Sequence, residues 1–549
     1  MTERKMQGFL IGSIRVSLDA SEDEILKKAK NKMKRAGLST TSLHFRLYKK
    51  SVDARKKDDV HFECTVLAEG EVGNGIYTET LLKRADARMF SNEPLSIRIG
   101  DQALSKRPLV VGMGPAGLFA ALLLAQNGYA PILIDRGGSV EERVKDVERF
   151  RLTGVLDTDS NIQFGAGGAG TFSDGKLITR IHDPRIGFVL ETLHRFGAPD
   201  EILYRAKPHV GTDLLRQVVA SMLHEIACLG GEICYRCKME DFSRLPDGTY
   251  RVRTSKGEFS CGAVILAPGH SSRDTYLRLL EKNFAIEAKP ISVGVRAEHL
   301  QADIDQALYG RFAGHPNLGH AEYSLSDTRG ARGVYTFCMC PGGEVVAASS
   351  EEGGLVVNGM SNHARDGKNA NAAVAVSVGI ADYERVNGSL ALGAIAFQRG
   401  IERAAFAAGG NDYTAPIMTV GDFLSKKSGC EPSRILPSFR DGRVRPYDFE
   451  QVFPSFVTEA LRYGLISFGK RLHGYDVPDA VLTAAETRTS APLRILRDPE
   501  TLCAIGNDRI YPCGEGAGYA GGITSAAVDG IRVAQAMMAR FAPIDSEEK

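Results

Sequence analysis

The stretch RPLVVGMGPAGLFAALLLAQNGYAPILIDR, residues 107–136, constrains the fold more than any other part of the chain. RPLVVG reads as a short buried strand, AGLFAALLLAQNG as a helix ending at a glycine, and APILID as a second strand, the opening of a doubly wound parallel sheet. Gly112, Gly114 and Gly117 fall between strand and helix in G-x-G-x-x-G spacing. The first permits the tight turn, the second lets main chain approach a pyrophosphate, and the third lets helix and strand pack closely. The helix N-terminus then offers free N–H groups and a positive dipole end to phosphates. Asp135 ends the second strand, where an acid accepts hydrogen bonds from a ribose. Strand, helix and acid together predict a bound dinucleotide; the competing reading is a purely structural glycine turn. Asp135 argues against a 2′-phosphate but leaves NAD and FAD both open.

Three later segments decide between them. FGAGGAGTFSDGK, residues 164–176, follows the polar, turn-rich LDTDSNIQ instead of a strand, and no βαβ unit comes after it. It is a poor second dinucleotide fold and a good loop whose amides form an anion-binding concavity. In AVILAPGHSSRDTY a buried strand ends in Ala267, Pro268 and Gly269, small enough to lie against a planar ligand. In PCGEGAGYAGGITSAAVDG, Glu515 stands where it could meet a ribityl hydroxyl, and a helix opens near Gly522, Ile523 and Thr524. A helix N-terminus aimed at the pyrimidine end of a flavin stabilises negative charge on the reduced ring. One fingerprint plus three further loops predict one large dinucleotide, FAD.

The rest of the chain frames this core. At 549 residues it exceeds one compact core, and length alone predicts about three or four units. Residues 1–100 read as a β-α-β-β module in which SEDE (Ser21 to Glu24) is a capping box and Gly37 ends the helix. This module holds 19 Lys and Arg against 14 Asp and Glu, read as a solvated face, with a nucleic-acid surface as the alternative. Residues 101–290 form the first part of the cofactor domain and 496–549 its return, so this α/β domain is discontinuous. Residues 291–495, with VYTFCMC, EVVAASS and GLVVNG as strands and FPSFVTEALRYGLISFGKRL as an amphipathic helix, predict a mixed or antiparallel substrate domain. The 68 basic and 67 acidic side chains give a net charge of +1, without an overall pull toward nucleic acid or anionic membrane. No apolar run approaches the roughly 18 residues of a membrane span, and the charged start lacks a signal-peptide h-region. Ten cysteines in a chain of this length predict a reducing, cytoplasmic setting.

The segments NIQFGAGGAGTFSDGKLITR, KPHVGTDLL, TFCMCPGGEVV, NGMSNHARD, ETRTSAPLRILRD and GEGAGYAGGITSAAVDG resemble those of a bacterial family of uncharacterised FAD-dependent dehydrogenases. The likeness runs over nearly the whole chain. It implies a glutathione-reductase-like FAD domain with one Rossmann unit. It further implies FAD contacts at Gly112, Gly114, Gly117, Asp135, Gly168, Gly170, Thr171, Met239, Gly269, Gly514, Glu515 and Ile523, to which the neighbouring Pro115, Ala116, Arg136, Ala267 and Gly522 are added. Asp135 departs from the commoner glutamate and Ala166 from the expected FGEGG. The family label carries no substrate.

Other reactive residues are weaker candidates. CYRC (Cys234 to Cys237) reads as one strand, where i and i+3 point to opposite faces and disfavour a disulfide or a shared metal. Cys338 and Cys340 share a strand face, so Cys340 is a candidate thiol, against the reading of small apolar packers. His270 follows a strand-end glycine near the ring. Thr212 and Asp213, after His209, read as N-cap residues. Arg488, within Glu486 to Ser490, is a candidate for a substrate anion, against a surface ion-pair network; Asn358 and Ser361 are similar, against a loop turn. The expectation is an FAD-dependent oxidoreductase moving hydride between flavin and a small molecule, with NAD(P)H a transient visitor, no metal and no membrane. A flavoenzyme acting on RNA through the basic module, or a redox sensor without turnover, are the alternatives.

Overall fold

The computed structural model describes residues 7–70, 78–91 and 94–544; the charged start, 1–6, lies outside them. The first module has β1 (Gln7–Val16), α1 (Glu22–Arg35), β2 (Leu43–Asp53) and β3 (His61–Gly70) as expected. Ser21 and Glu24 cap α1 reciprocally, and its buried stripe is Ile25, Ala29 and Met33. The module is larger than the β-α-β-β reading. A short α2 (Glu79–Arg84) leads into β4 (Ala87–Phe90), which pairs antiparallel with β1 and gives the order β2-β3-β1-β4. Four residues of alternation are too few to announce such an edge strand.

A five-stranded sheet, parallel throughout, forms the second layer. Its strands are β5 (Leu109–Val111), β6 (Ile132–Ile134), β7 (Glu232–Cys234), β8 (Val264–Leu266) and a last strand, Ile510–Pro512, from the far end of the chain. Every strand is only three residues long, and β5, β6, β8 and Ile510–Pro512 are buried throughout. The sheet lies between α3 (Pro115–Gln126) and other cover. Ten of the twelve α3 residues are buried, as its almost uniformly apolar sequence demands. The segment EICYRCKMEDF is not one strand. It breaks after Cys234 because the amides of Arg236 and Cys237 donate to the Gly137 and Asp135 carbonyls at 2.8 and 2.7 Å. Arg236 takes a positive φ of 49° in that turn. Cys234 and Cys237 are both free thiols.

The middle of the chain builds a seven-stranded sheet around β9 (Ile291–Leu300), β10 (Val334–Cys340), β11 (Asn369–Val378), β12 (Ala415–Thr419) and β13 (Val481–Glu486). It is antiparallel except where β12 meets Val444–Pro446. The EVVA and VNGM strands form a separate two-stranded ribbon. β10 carries a bulge between Phe337 and Cys340, with Cys338 at φ 45°, so the simple alternation assumed for Cys338 and Cys340 is broken there. Replacing Ser21 by Ala removes the α1 cap and should lower the stability of the amino-terminal module by about 1 kcal/mol in urea unfolding.

Candidate functional site

The carboxyl ends of β5, β6, β8 and Ile510–Pro512 open onto one cleft, where ligands of parallel sheets bind. Gly112 turns at φ 105°, and a Cβ there would strike the Ala267 carbonyl oxygen at 2.1 Å. A Cβ on Gly117 would strike the Gly112 oxygen at 1.9 Å, so close helix–strand packing is the reason for this glycine. Gly114 differs: its nearest neighbour is the Gly168 Cα at 3.8 Å, which leaves its face of the loop open. The second glycine stretch is therefore a wall of the first cleft. Gly167 N donates to the Met113 carbonyl at 2.8 Å, and a Cβ on Gly170 would meet Ile523 Cγ1 at 2.9 Å. The carboxy-terminal loop closes the ring, since a Cβ on Gly514 would meet that of Ala116 at 2.6 Å.

Three braces that sequence reading missed hold these loops. The fully buried Arg143, on α4 (Val140–Thr153), donates to the carbonyls of Asn161, Ile162 and Ala166, each at 2.8 Å. Its guanidinium also stacks over the Phe172 ring at 4.7 Å. Burial pulls its pKa down to about 9, only partly offset by Asp135. Asp529, on a helix that spans Ile523–Arg540, accepts from Gly514 N at 2.8 Å and pairs with Arg497 at 2.6 and 2.9 Å. Tyr276 Oη donates to the carbonyls of Gly269 and Gly516 at 3.1 and 2.8 Å, joining two loops. A charge on the buried face of a helix was the readable sign for Arg143 and Asp529. Tyr276 left none.

Asp135 is buried, and its two oxygens accept Met113 N at 2.8 Å and Gly137 N at 2.9 Å. It braces the glycine turn, with a second lone pair on each oxygen left for a ribose hydroxyl. Arg136 is paired with Asp274 at 2.8 and 3.0 Å and stacked on Phe164. Met239 lines the same narrow cleft as Gly112, Asp135 and Arg136. Pro115 and Ala116 open α3, Ala267 and Gly269 follow β8, and Thr171 closes a short turn of helix over Ala169–Phe172. Glu515 lies beside His270, and Gly522 is the N-cap of the Ile523–Arg540 helix.

These residues fit an extended dinucleotide. The Pro115–Gln126 and Ile523–Arg540 helices both begin on a glycine with no side-chain cap, leaving first-turn amides for a ligand. Thr171 Oγ1 and His270 Nε2 are buried at the cleft without partners. A Cβ on Gly269, Gly521 or Gly522 would meet nothing within 4 Å.

A family profile described as "FAD-dependent protein, C-terminal domain-like" matches residues 290–489, and one described as a domain of unknown function matches residues 10–69. A protein of Clostridium beijerinckii, printed as an uncharacterized protein, is 45% identical over 542 residues, covering 97% of this chain and 98% of its own. The chain belongs to the family of that clostridial protein. Its cofactor is FAD. Among solved structures, CtdE in complex with FAD is 11% identical with a TM-score of 0.31, over 80% of this chain and 84% of its own. The halogenase PltM is 11% identical with a TM-score of 0.36, over 79% and 68%. Likenesses this weak say nothing of the reaction.

The weaker candidates separate. Thr212 and Asp213 do not cap a helix. The N-cap of Thr212–Cys228 is Gly211, Thr212 Oγ1 donates to the Thr171 carbonyl at 2.6 Å, and Asp213 accepts His363 N at 2.7 Å. Both side chains are drawn off to tie the second glycine loop and the NGMSNHARD loop to this helix. Arg488 is neither on the surface nor open to a substrate. It is buried against Glu402 at 3.0 Å, and Glu402 also holds Arg273 through two bonds at 2.8 Å. Burial alone would raise the Glu402 carboxyl, but the two guanidinium groups outweigh it and hold it low. Glu486 is likewise bound, to Arg296 at 2.9 and 3.0 Å, and Asn358 accepts from the same arginine. Ser361 Oγ donates to the Pro341 carbonyl. Cys340 lies 4.0 Å from Arg296, and the bond it shares with Cys338, together with burial, pushes it up and keeps it a neutral thiol. That bond and Arg296 instead pull Cys338 down to about 7.

Arg143→Met should strand three buried carbonyls and release the second glycine loop. Purified protein should then carry much less FAD per chain and unfold more easily by roughly 3 kcal/mol or more. Glu402→Gln should cost about 3–5 kcal/mol in thermal unfolding, because two buried cations lose the carboxylate they share and keep only the partly exposed Glu351.

Proposed function

We propose that this protein is an oxidoreductase that moves hydride between FAD and a small organic molecule, with the amides and side chains of the cleft setting position and charge. Two observations carry this reading: an uncapped helix start packed against the second glycine loop, and a buried imidazole whose Nε2 has no partner. The helix starts at Ile523, against Gly170, and His270 lies between Glu515 and Arg488. FAD, when bound, supplies a carrier for two electrons and a proton. The amides of Ile523 and Thr524 and the positive helix end favour negative charge placed before them. Burial lowers the His270 pKa; Glu515 and a hydrogen bond to the Arg488 main chain oppose the shift, and the Arg488 charge adds to it, so the ring is neutral near pH 7. Its free Nε2 can then exchange one proton with a substrate at that atom. The cleft residues Gly112, Gly114, Pro115, Ala116, Gly117, Asp135, Arg136, Gly168, Gly170, Thr171, Met239, Ala267, Gly269, Gly514, Glu515, Gly522 and Ile523 are the proposed cofactor contacts. Substrate enters at the seam between the parallel and seven-stranded sheets, and NAD(P)H docks only transiently.

The direct test is anaerobic. The yellow protein is mixed in turn with NADH, NADPH and a metabolite panel, and loss of flavin absorbance is followed. Bleaching by dithionite alone would defeat the reading. With a working reductant, His270→Asn should slow flavin reduction by about 10²–10⁴-fold while leaving bound FAD in place. The wild-type rate should show no inflection at pH 6.5, because the folded ring protonates only below its ordinary value.

A further inference from the structure

A cavity of about 480 Å³, lined by none of the proposed cofactor contacts, lies where the amino-terminal module meets the rest of the chain. The module docks there through main chain: Lys50 N donates to the Tyr204 carbonyl at 2.7 Å, and Ala206 N to the Lys50 carbonyl at 2.9 Å. Glu201, His209 and His363 all line this cavity. Each offers one ligand atom, and these atoms lie within 4.8 Å of one another. Two segments distant in sequence meet here because Gly211 has no side chain. A Cβ on it would strike His363 N at 2.2 Å.

The surroundings of the three residues are those of metal ligands. His209 Nε2 faces the His363 carbonyl at 3.2 Å, and its Nδ1 is buried with no partner. Only 6% of His209 is exposed. His363 Nδ1 faces the Val210 carbonyl at 3.1 Å, and its Nε2 lies 3.8 Å from Glu201 Oε1. A carbonyl beside one nitrogen takes the ring proton and leaves a lone pair on the other, the outer contact that metal-binding histidines usually make. Arg205 Nε holds Glu201 Oε2 at 2.8 Å, which orients the carboxylate and leaves Oε1 free. The two rings stack with centroids 5.1 Å apart.

We propose that Glu201, His209 and His363 bind one divalent transition-metal ion of the zinc class. Two imidazole nitrogens and a carboxylate oxygen suit such an ion and leave coordination positions open. Ligand atoms about 2.1 Å from a tetrahedral metal stand about 3.4 Å apart, so the side chains close by about an ångström on binding. The open positions face the cavity, where Lys50 and Lys207 provide cations for an anionic group on the metal, Arg365 being held by Asp174 and Glu322. The site is independent of the hydride-transfer reading and stands or falls without it.

The test uses full-length FAD-loaded protein stripped of metal. Cys228→Ser and Cys430→Ser are built into every sample, because both thiols are exposed and Cys228 sits 3.4 Å from His224, a competing zinc site. Calorimetric titration with Zn²⁺ should show one ion per chain, and Co²⁺ should give d–d bands without sulfur charge transfer. His363→Ala and Glu201→Gln should each weaken Zn²⁺ binding by roughly a hundredfold or more, with FAD content unchanged. Absence of stoichiometric binding, or unchanged affinity in both variants, overturns the proposal. Should a variant misfold, crystals of the parent soaked in Zn²⁺ decide by anomalous diffraction. A peak between the three side chains supports the site, and its absence there sinks it.

Discussion

The cleft exists because four loops approach one another more closely than a Cβ permits. Gly112 against Ala267, Gly168 against Gly114 and Gly516 against Gly269 are contacts of main chain on main chain. Such contacts bring amides and helix starts to a common line that side chains could not reach. They also leave the loops with no packing of their own, so other residues must fix them. Arg143, Asp529 and Tyr276 do this by binding main-chain atoms of the loops directly. Arg143 and Tyr276 donate to several carbonyls from one side chain and Asp529 accepts a loop amide, so main-chain groups are satisfied in a dry interior.

A second constraint joins the segments that surround the cleft. Arg273, just past β8, meets Glu402 and Glu351 from the middle of the chain, and Arg488, beyond β13, meets the same glutamate. Arg296 and Glu486 lock two strands of the seven-stranded sheet in the same way. Buried pairs of this kind add little net stability but are costly to break singly, so they fix one relative placement of the segments. In the polar run that looks suited to a substrate anion, Glu486 and Arg488 are thus already matched within the protein.

Much of the fold was legible. The βαβ unit at Gly112, the capping box at Ser21 and the strands of the middle region follow from local pattern, and each appears where pattern places it. The errors share a cause. EICYRCKMEDF looked like one strand, but tertiary hydrogen bonds to Gly137 and Asp135 break it. Thr212 looked like a cap, but its hydroxyl was claimed by Thr171. CMC looked like regular alternation, but a bulge at Cys338 reset it. In each case a partner far along the chain outbid the local preference.

The sequence alone placed glycine turns, small strand ends and an acid in the pattern that predicts one dinucleotide, because those demands are local to each turn. It also carried the family likeness, which lies in the order of residues. Only the tertiary structure decided which charges are free. It buried Arg488 against Glu402, set Asp135 on two amides, left His270 Nε2 alone, and brought His209 to His363 across 154 residues. Whether a polar group is available to a ligand depends on what folding places beside it, and no local pattern records that.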